Sequence, residues 1–206
     1  MERLMSTETA PARTDEDPST TRRRHHVCPW WLGYPLVSPL RRLVENPERT
    51  LGLHVQPGMR VLEVGCGMGF FTLPLATLVG EGGRVISLDV QPRMLAALER
   101  RARRAGLEKR IQPRLCGADS LGLAGDAGTI DLAVLIHVLH EMPDAAAALG
   151  EVQAALAPAG RVLLIEPPGH VSKAAFEEQI QAAAVAGLTV ERRLDRRLAV
   201  VLRRAA

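Results

Sequence analysis

The chain has 206 residues, of which 47% are hydrophobic and 24% charged, a composition typical of one globular domain with a sizeable core. Its net charge of +3 is a weak basic bias, too small to indicate nucleic-acid binding. Three widely spaced cysteines argue against a disulfide framework or a structural zinc site and favour a reducing compartment. With no apolar run near the roughly 18 residues of a membrane span and no signal-peptide pattern at the N-terminus, we expect a cytoplasmic protein without a membrane partner.

The N-terminal part of the chain divides into two segments by composition. Residues 1–27 are rich in Thr, Pro, Arg and acidic residues and almost lack aliphatic ones, which predicts a disordered extension. Residues 28–206 are predicted to form a single domain, and its first segment, 28–50, contains Trp30, Trp31 and Tyr34. These aromatic residues either close over a substrate as a lid that excludes water or anchor the segment to the core.

Strands and helices alternate along the rest of the chain. A short helix is expected over 39–48, where Leu40, Leu43 and Val44 have helical spacing. Strands are predicted at 60–64, 84–90, 110–116, 130–139 and 161–166. Helices are predicted at 70–80, 92–105, 145–156 and 173–186, and the tail forms two strands that turn near Asp195. Because the central strands are apolar throughout, we predict a doubly wound α/β domain whose mostly parallel sheet binds its ligand beyond the carboxyl ends of the strands.

The first strand ends in the sequence VLEVGCGMGFF, which contains three glycines at alternate positions, Gly65, Gly67 and Gly69. Such a loop brings backbone N–H groups close to a ligand, but the third glycine comes one residue too early for the dinucleotide fingerprint. Phe70 stands where that fingerprint needs a small residue. Glu63 adds a negative charge beside the loop, which would repel phosphates and attract an ammonium group.

Two aspartates follow the next two strands. Asp89 ends the second strand, where a carboxylate can accept hydrogen bonds from both hydroxyls of a ribose. Asp119 follows the third strand, where a carboxylate can accept from the exocyclic amine of adenine. Together with the glycine loop they predict a ligand with an adenine, a ribose and a cationic amino-acid end but no phosphate. S-adenosyl-L-methionine fits this description.

Five successive motifs, VLEVGCGMG, VISLDV, GAD, IDLAVLIHVLHEMPD and LAPAGRVLLIEP, span about residues 50–168. In order and spacing they resemble the motifs of class I S-adenosylmethionine-dependent methyltransferases. They are most similar to the small-molecule branch that includes the ubiquinone/menaquinone-biosynthesis type (methyltransferase type 11/25).

The resemblance implies a seven-stranded Rossmann-like sheet with a reversed last strand, and it implies a set of cofactor residues. Asp89 would bind the ribose, with Val90 and Gln91 beside the adenine, and Ala118 and Asp119 would read the edge of the adenine. His137 would lie under the cofactor at the end of the fourth strand. The methionine end would be held by Glu63, Gly65, Gly67 and Gly69, and Cys66 and Phe70 in the same segment are further cofactor-binding candidates.

Methyl transfer depends mainly on alignment, so a catalytic side chain is not obligatory. His140 and Glu141 follow the fourth strand and are the candidate catalytic residues, since a histidine there can accept a proton from a hydroxyl or a thiol. The alternative for His140 is that it caps the strand or lines the pocket. His170, after the fifth strand, either lies at the same edge of the sheet as His140 or belongs to the segment that leads into the next helix.

We expect a small-molecule methyl acceptor, no nucleic-acid partner and no metal. The Asn-Pro-Pro-Tyr motif typical of DNA-adenine and protein-glutamine methylation is absent, and HVLHE stands in its place. Three alternatives remain: a non-catalytic cofactor-binding subunit, an NAD-dependent oxidoreductase, and a methyltransferase for arsenite-type metalloids that uses Cys28 and Cys116. The kind of acceptor atom and the choice between monomer and homodimer are left open by these residues.

Overall fold

The structure, a computed structural model, describes residue 41 and residues 45–195 and 198–205. The predicted disordered extension at 1–27, Cys28 and the aromatic residues Trp30, Trp31 and Tyr34 lie outside the described residues. In the described part of the chain, no helix combines the length and the apolar character needed to cross a membrane.

Five helices and seven strands alternate along the described chain. The helices are α1 (Pro47–Leu51), α2 (Thr72–Leu78), α3 (Pro92–Arg104), α4 (Ala145–Ala155) and α5 (Lys173–Val185). The strands are β1 (Arg60–Val64), β2 (Arg84–Asp89), β3 (Ile111–Leu115), β4 (Ile130–Ile136), β5 (Leu156–Glu166), β6 (Leu188–Arg193) and β7 (Leu198–Arg204). Short 3-10 turns at Glu108–Arg110, Ala124–Asp126 and Leu139–Glu141 complete the connections.

The strands form one sheet in the order β3-β2-β1-β4-β5-β7-β6. Strands β1 to β5 pair in parallel, whereas β7 runs antiparallel to both β5 and β6. Alternate residues of the central strands belong to two separate apolar clusters, for example Leu62 to one and Val61 to the other. Since both faces of the sheet are covered, the predicted doubly wound fold with a reversed last strand is confirmed.

The helix starts match their sequence signals. The Asp144 side chain accepts from the Ala147 backbone N–H at the start of α4, and Ser172 accepts from Ala175 at the start of α5. Both capped ends satisfy a backbone donor that the helix itself leaves unpaired. The helix predicted over 39–48 falls largely outside the described residues, and α1 begins only at Pro47 after an Asn46 cap.

The start of the fifth strand differs from the sequence-based prediction. The fifth strand begins at Leu156 rather than at Arg161, because residues 157–160 bulge out between the pairs Ile130–Leu156 and Leu132–Arg161. On the helix α5, Ala183 is buried and its neighbour Ala184 is exposed. The burial of Phe176, Ile180 and Ala183 follows the i, i+4, i+7 spacing of a helix face.

A buried carboxylate joins three segments of the sheet. Asp126, 1% exposed, accepts from Arg60 Nη2 at 2.7 Å and from Arg114 Nη1 at 2.5 Å. Arg60 begins β1 and Arg114 lies in β3, so the turn before β4 is tied to both strands. Burial alone would raise the pKa of Asp126, but the hydrogen bonds from Arg114 and Arg60 outweigh it and hold the pKa below its usual value.

We expect Asp126→Asn to lower the free energy of unfolding by about 2 kcal/mol at pH 7, because two guanidinium groups lose their charged partner. Since the folded-state pKa of Asp126 is depressed, its stabilisation is present above about pH 4 and is lost as the pH falls through the folded-state value. The difference between wild type and variant, measured by urea unfolding at pH 7 and pH 3, should therefore shrink in acid.

Glu177→Gln is the control for this measurement, because Glu177 pairs with Arg193 on the exposed surface. Its unfolding midpoint should stay close to wild type. If Asp126→Asn lowers the free energy of unfolding by the same amount at pH 7 and pH 3, the role of Asp126 as an ionised partner of the two arginines is contradicted.

Candidate functional site

A cavity of about 990 Å³ opens at the carboxyl ends of the parallel strands. Its wall is formed by the segments that follow β1 to β5, including the glycine loop and the turn after β4. This is where a doubly wound sheet is expected to bind its ligand. Most predicted site residues line it: Gly65, Cys66, Gly67, Phe70, Asp89, Val90, Gln91, Ala118, Asp119, His137, His140, Glu141 and His170.

The Asp89 carboxylate holds the glycine loop against the end of β2. One oxygen accepts from the Gly67 backbone N–H at 2.8 Å, and the other accepts from the Gln91 N–H at 2.8 Å. Burial raises the pKa of Asp89, although these backbone N–H groups hold part of the shift back. Each oxygen keeps a further acceptor position, so the carboxylate can hold the loop and also accept a ligand hydroxyl.

Two of the loop glycines are required by space as well as by backbone angle. Gly65 has φ +74° and Gly69 has φ +87°, in the left-handed region that glycine tolerates best. A Cβ at Gly65 would lie 2.4 Å from Val138 Cγ2, and a Cβ at Gly69 would lie 2.5 Å from Leu98 Cδ1. A Cβ added at Gly67 would have no neighbouring atom within 4 Å among the described residues, and Gly67 lines the cavity. Gly69 therefore packs the loop against α3 instead of lining the cavity.

Glu63, which the resemblance assigns to the methionine end, is not among the residues that line the cavity. It is 4% exposed, and one of its oxygens accepts from the Thr72 hydroxyl at 2.6 Å and from the Ser87 hydroxyl at 3.1 Å. Burial raises the pKa of Glu63 to about 7, even though these hydrogen bonds lower it. The side chain thus links β1 to α2 and β2 beneath the loop.

The segment after β3 carries the two residues predicted to read an adenine edge. Ala118 and Asp119 are exposed and line the cavity. The chain that follows is held by Glu151 on α4, whose carboxylate accepts from the backbone N–H groups of Leu121 and Gly122 at 2.9 and 3.0 Å. Glu151 fixes this wall, a role that the sequence analysis did not identify.

His137 directly follows β4 in a strained conformation, with φ +59°, the one positive value at a non-glycine residue in the described chain. Its Nε2 lies 3.6 Å from Glu45 Oε1 and its Nδ1 lies 3.5 Å from Arg41 Nη2. Burial lowers the pKa of His137; the Glu45 carboxylate opposes this shift and the Arg41 charge adds to it. Residues from before α1 therefore form part of the wall.

Phe70 and Phe71 give the cavity an aromatic side. Their rings meet edge to face with centroids 5.0 Å apart, and the Arg41 guanidinium lies 4.2 Å from the Phe70 centroid. Such a stack fixes both the cation and the ring. Phe70 was predicted for the site from the sequence, whereas Arg41 and Glu45 reach the cavity wall only through the tertiary structure.

His140 lies in the turn after β4 and forms a short contact with Glu166 at the end of β5. Its Nδ1 is 2.7 Å from Glu166 Oε2, and its backbone N–H donates to Oε1 at 3.0 Å. Gln179 Nε2 on α5 donates to the same Oε1 at 3.1 Å. The hydrogen bond to Glu166 raises the pKa of His140 against the effect of burial. Glu166 and Gln179 were not identified from the sequence, although Glu166 ends an apolar strand just as Asp89 does.

The charge on the cavity wall is mostly negative. Six carboxylates line it and one arginine, Arg41, does so in the described part of the chain. The acidic residues are Glu45, Asp89, Asp119, Glu141, Asp144 and Glu151. A wall of this sign favours a cationic ligand over one that carries phosphate groups.

The cysteines do not form a metal site in the described chain. Burial raises the pKa of Cys116 to about 11 and also raises that of Cys66, so both thiols are protonated near neutral pH. No cluster of three or more His, Cys, Asp or Glu side chains suited to a metal occurs among the residues that the structure describes. Cys28, which the metalloid alternative pairs with Cys116, lies outside the described residues.

Comparison with known proteins places this chain among methyltransferases. A family model for a methyltransferase domain matches residues 55–195. The demethylmenaquinone methyltransferase of Lactobacillus johnsonii is 33% identical over 128 residues, which cover 61% of this chain and 52% of the relative. The protein of the same name from Bacillus cytotoxicus is 32% identical over 131 residues, which cover 64% and 54%. The chain thus spans about half the length of the curated relatives it matches.

Solved structures of low sequence identity share the fold. A SAM-dependent methyltransferase from Aquifex aeolicus superposes with a TM-score of 0.74 at 24% identity, covering 85% of this chain and 97% of that one. The cyclase SpnF superposes with a TM-score of 0.60 at 23% identity, covering 73% and 58%. Because one of these proteins is named as a cyclase, the fold by itself does not fix the reaction.

The loop glycines should differ in their effect on stability. Gly69→Ala forces a methyl group into Leu98 at an unfavourable φ and should lower the free energy of unfolding by about 2–4 kcal/mol. Gly67→Ala has open space and should lower it by only about 1 kcal/mol. Urea unfolding of the two variants measures the difference, and equal losses would contradict the packing role of Gly69.

Glu63 should make stability depend on pH. Its folded-state pKa of about 7 lies above the ordinary value of 4.5, so the folded protein keeps a proton that the unfolded chain releases. Stability should therefore fall as the pH rises from about 4.5 to 7, by at most about 3 kcal/mol from this group. In Glu63→Gln this contribution disappears, and urea midpoints between pH 4.5 and 7.5 should vary less than in wild type; an unchanged slope would contradict the assignment.

Proposed function

Because this chain belongs to the methyltransferase-domain family, we propose that it transfers a methyl group from S-adenosylmethionine to a small-molecule acceptor. The observation that carries the proposal is the acidic cavity at the carboxyl ends of the strands, where Asp89 holds an open glycine loop. A ligand there meets backbone and carboxylates but little positive charge.

The residues of the cavity fit S-adenosylmethionine better than a dinucleotide. Gly67 leaves open the space that a Cβ would fill, so a ligand can approach the backbone closely. Six acidic side chains on the wall suit the ammonium and sulfonium groups of this cofactor, whereas among the described residues a pyrophosphate would meet one arginine. This charge balance argues against the NAD-dependent oxidoreductase.

Each part of the cofactor has residues that would hold it. Asp89 would accept hydrogen bonds from the ribose, with Val90 and Gln91 beside the adenine. Ala118 and Asp119 would lie at the edge of the adenine, and His137 would lie beneath the cofactor. The methionine end would lie over the loop of Gly65, Cys66 and Gly67, next to Phe70.

The cofactor supplies a methyl group on a sulfonium, which is an excellent leaving group. The protein therefore has to align the acceptor and keep water out, which can contribute roughly 7–11 kcal/mol to lowering the barrier. Phe70 and Phe71 provide an apolar side for an acceptor, and His140 and Glu141 provide groups that can take a proton from it.

The first acceptor to test is demethylmenaquinone, after which the relatives are named. We propose a small molecule of this kind because the cavity of about 990 Å³ is larger than a nucleoside cofactor needs and has an aromatic side. A cytoplasmic location, without nucleic-acid or membrane partners, belongs to the same proposal.

Calorimetric titration with S-adenosylhomocysteine tests the cofactor. We expect wild type to bind it and Asp89→Asn to bind about 10- to 100-fold more weakly, because an amide has one acceptor oxygen for Gly67, Gln91 and the ribose. The control is Glu177→Gln, which should bind like wild type. Binding of NAD without S-adenosylhomocysteine would overturn the proposal.

Turnover is tested with methyl-labelled S-adenosylmethionine and the purified chain alone, first with demethylmenaquinone kept reduced and then with a metabolite extract. Label transferred to a small molecule supports an enzyme. Cofactor binding with no transfer to any acceptor would support the alternative of a non-catalytic subunit.

A further inference from the structure

We infer that Glu166 is a positioning residue that orients His140 as a proton acceptor, so the site suits methyl acceptors that carry a hydroxyl or thiol hydrogen. This inference rests on the proposed function and extends it by naming Glu166 and a substrate class, acceptors that are activated by loss of a hydroxyl or thiol proton. Such acceptors include a hydroquinone, in which the charge left on oxygen spreads to the ring carbon that is methylated. It is carried by contacts among β5, α5 and the turn after β4.

Glu166 is fully buried, and two donors point at one oxygen of its carboxyl group. They are the backbone N–H of His140 and the amide Nε2 of Gln179, at 3.0 and 3.1 Å, while the His140 ring places Nδ1 2.7 Å from the other oxygen. A buried carboxyl group surrounded in this way is in the arrangement that an ionised carboxylate requires. Among the described residues, the Gln179 Oε1 has no hydrogen-bond partner, so the hydrogen bond to Glu166 is what orients this amide there.

The contact with Glu166 fixes which ring nitrogen of His140 is available. An ionised carboxylate can only accept, so the neutral imidazole must carry its hydrogen on Nδ1. Nε2 then carries the lone pair, on the side of the ring away from Glu166, and His140 lines the cavity. The backbone hydrogen bond to the other carboxylate oxygen fixes the turn itself, so ring and main chain are held together.

The proton step follows from this orientation. A hydroxyl or thiol of the acceptor gives its proton to Nε2, and the electron pair of the broken bond stays on the acceptor oxygen or sulfur. His140 becomes an imidazolium whose charge is balanced by the Glu166 carboxylate at 2.7 Å. The acceptor atom is left as an anionic nucleophile inside the cavity. An acceptor nitrogen that already has a free lone pair would not need this pair of residues.

Other charged groups near His140 act on it less directly. The charge of Glu141, the next residue, raises the pKa of His140, but less than the hydrogen bond with Glu166 does. His137 lies close enough for its pKa to be affected by both His140 and Glu166. A test must therefore separate the direct contact from the general negative charge of the cavity.

The ring nitrogens of His140 can be followed by NMR of ¹⁵N-labelled full-length protein, without any acceptor. His140→Gln identifies its signals among the six histidines of the chain. In wild type we expect the neutral ring to carry its hydrogen on Nδ1, and we expect the pH-titration midpoint of His140 to lie above that of an ordinary histidine. In Glu166→Gln the titration midpoint of His140 should fall by about one pH unit or more, because a neutral amide replaces the carboxylate. In the control, Glu141→Gln, the fall should be smaller.

An Nε2–H form in wild type, or the same midpoint in wild type and Glu166→Gln, would overturn the inference. If Glu166→Gln does not fold, Glu166→Asp replaces it: it keeps the charge but shortens the side chain, and its midpoint should fall part of the way. An unchanged midpoint there would likewise overturn the inference. S-adenosylhomocysteine titrated into the same samples distinguishes the two proposals, since its failure to bind wild type contradicts the proposed function and not the orientation of His140.

Discussion

The site depends on one carboxylate at the end of the second strand. Asp89 accepts from Gly67 on one oxygen and from Gln91 on the other, and so it ties the loop after β1 to the start of α3. Glycines cost the most backbone entropy on ordering, so the loop needs such restraints, and the Asp89 hydrogen bond adds to those that Gly65 and Cys66 donate to the Leu88 carbonyl. The same carboxylate faces the cavity, so the group that fixes the loop is also the one offered to the ligand.

A second buried carboxyl group, Glu63, acts beneath the loop in a different way. It is held by hydroxyls of Thr72 and Ser87, which come from α2 and β2. A buried group with a pKa near 7 carries much less charge at neutral pH than an exposed acid does. Its influence on a ligand is therefore mainly through the shape of the loop, whereas the exposed acids of the wall provide the negative potential.

The opposite side of the cavity is built from polar groups that meet across the chain. Arg41 contacts both His137 and Phe70, and Glu45 also contacts His137, although the chain separates Arg41 from His137 by 96 positions. His140, Glu166 and Gln179 do the same across β4, β5 and α5. A histidine with strained backbone and a second histidine held by a buried carboxylate are both features found where a site is pre-organised.

The sequence by itself determined the order of strands and helices, the parallel core and the position of the cavity, because periodicity, caps and glycine turns are local signals that act within a few residues. It also placed Asp89, Asp119 and His140 at one edge of the sheet, since each follows a strand of the same direction. Only the tertiary structure decided the partners of these residues: that Glu63 lies in the core beside Thr72, that Gly69 packs on Leu98, and that Glu166 contacts His140. The physical reason is that burial and hydrogen-bond partners depend on neighbours that are distant in the chain. A local sequence pattern does not show which of these distant residues come into contact.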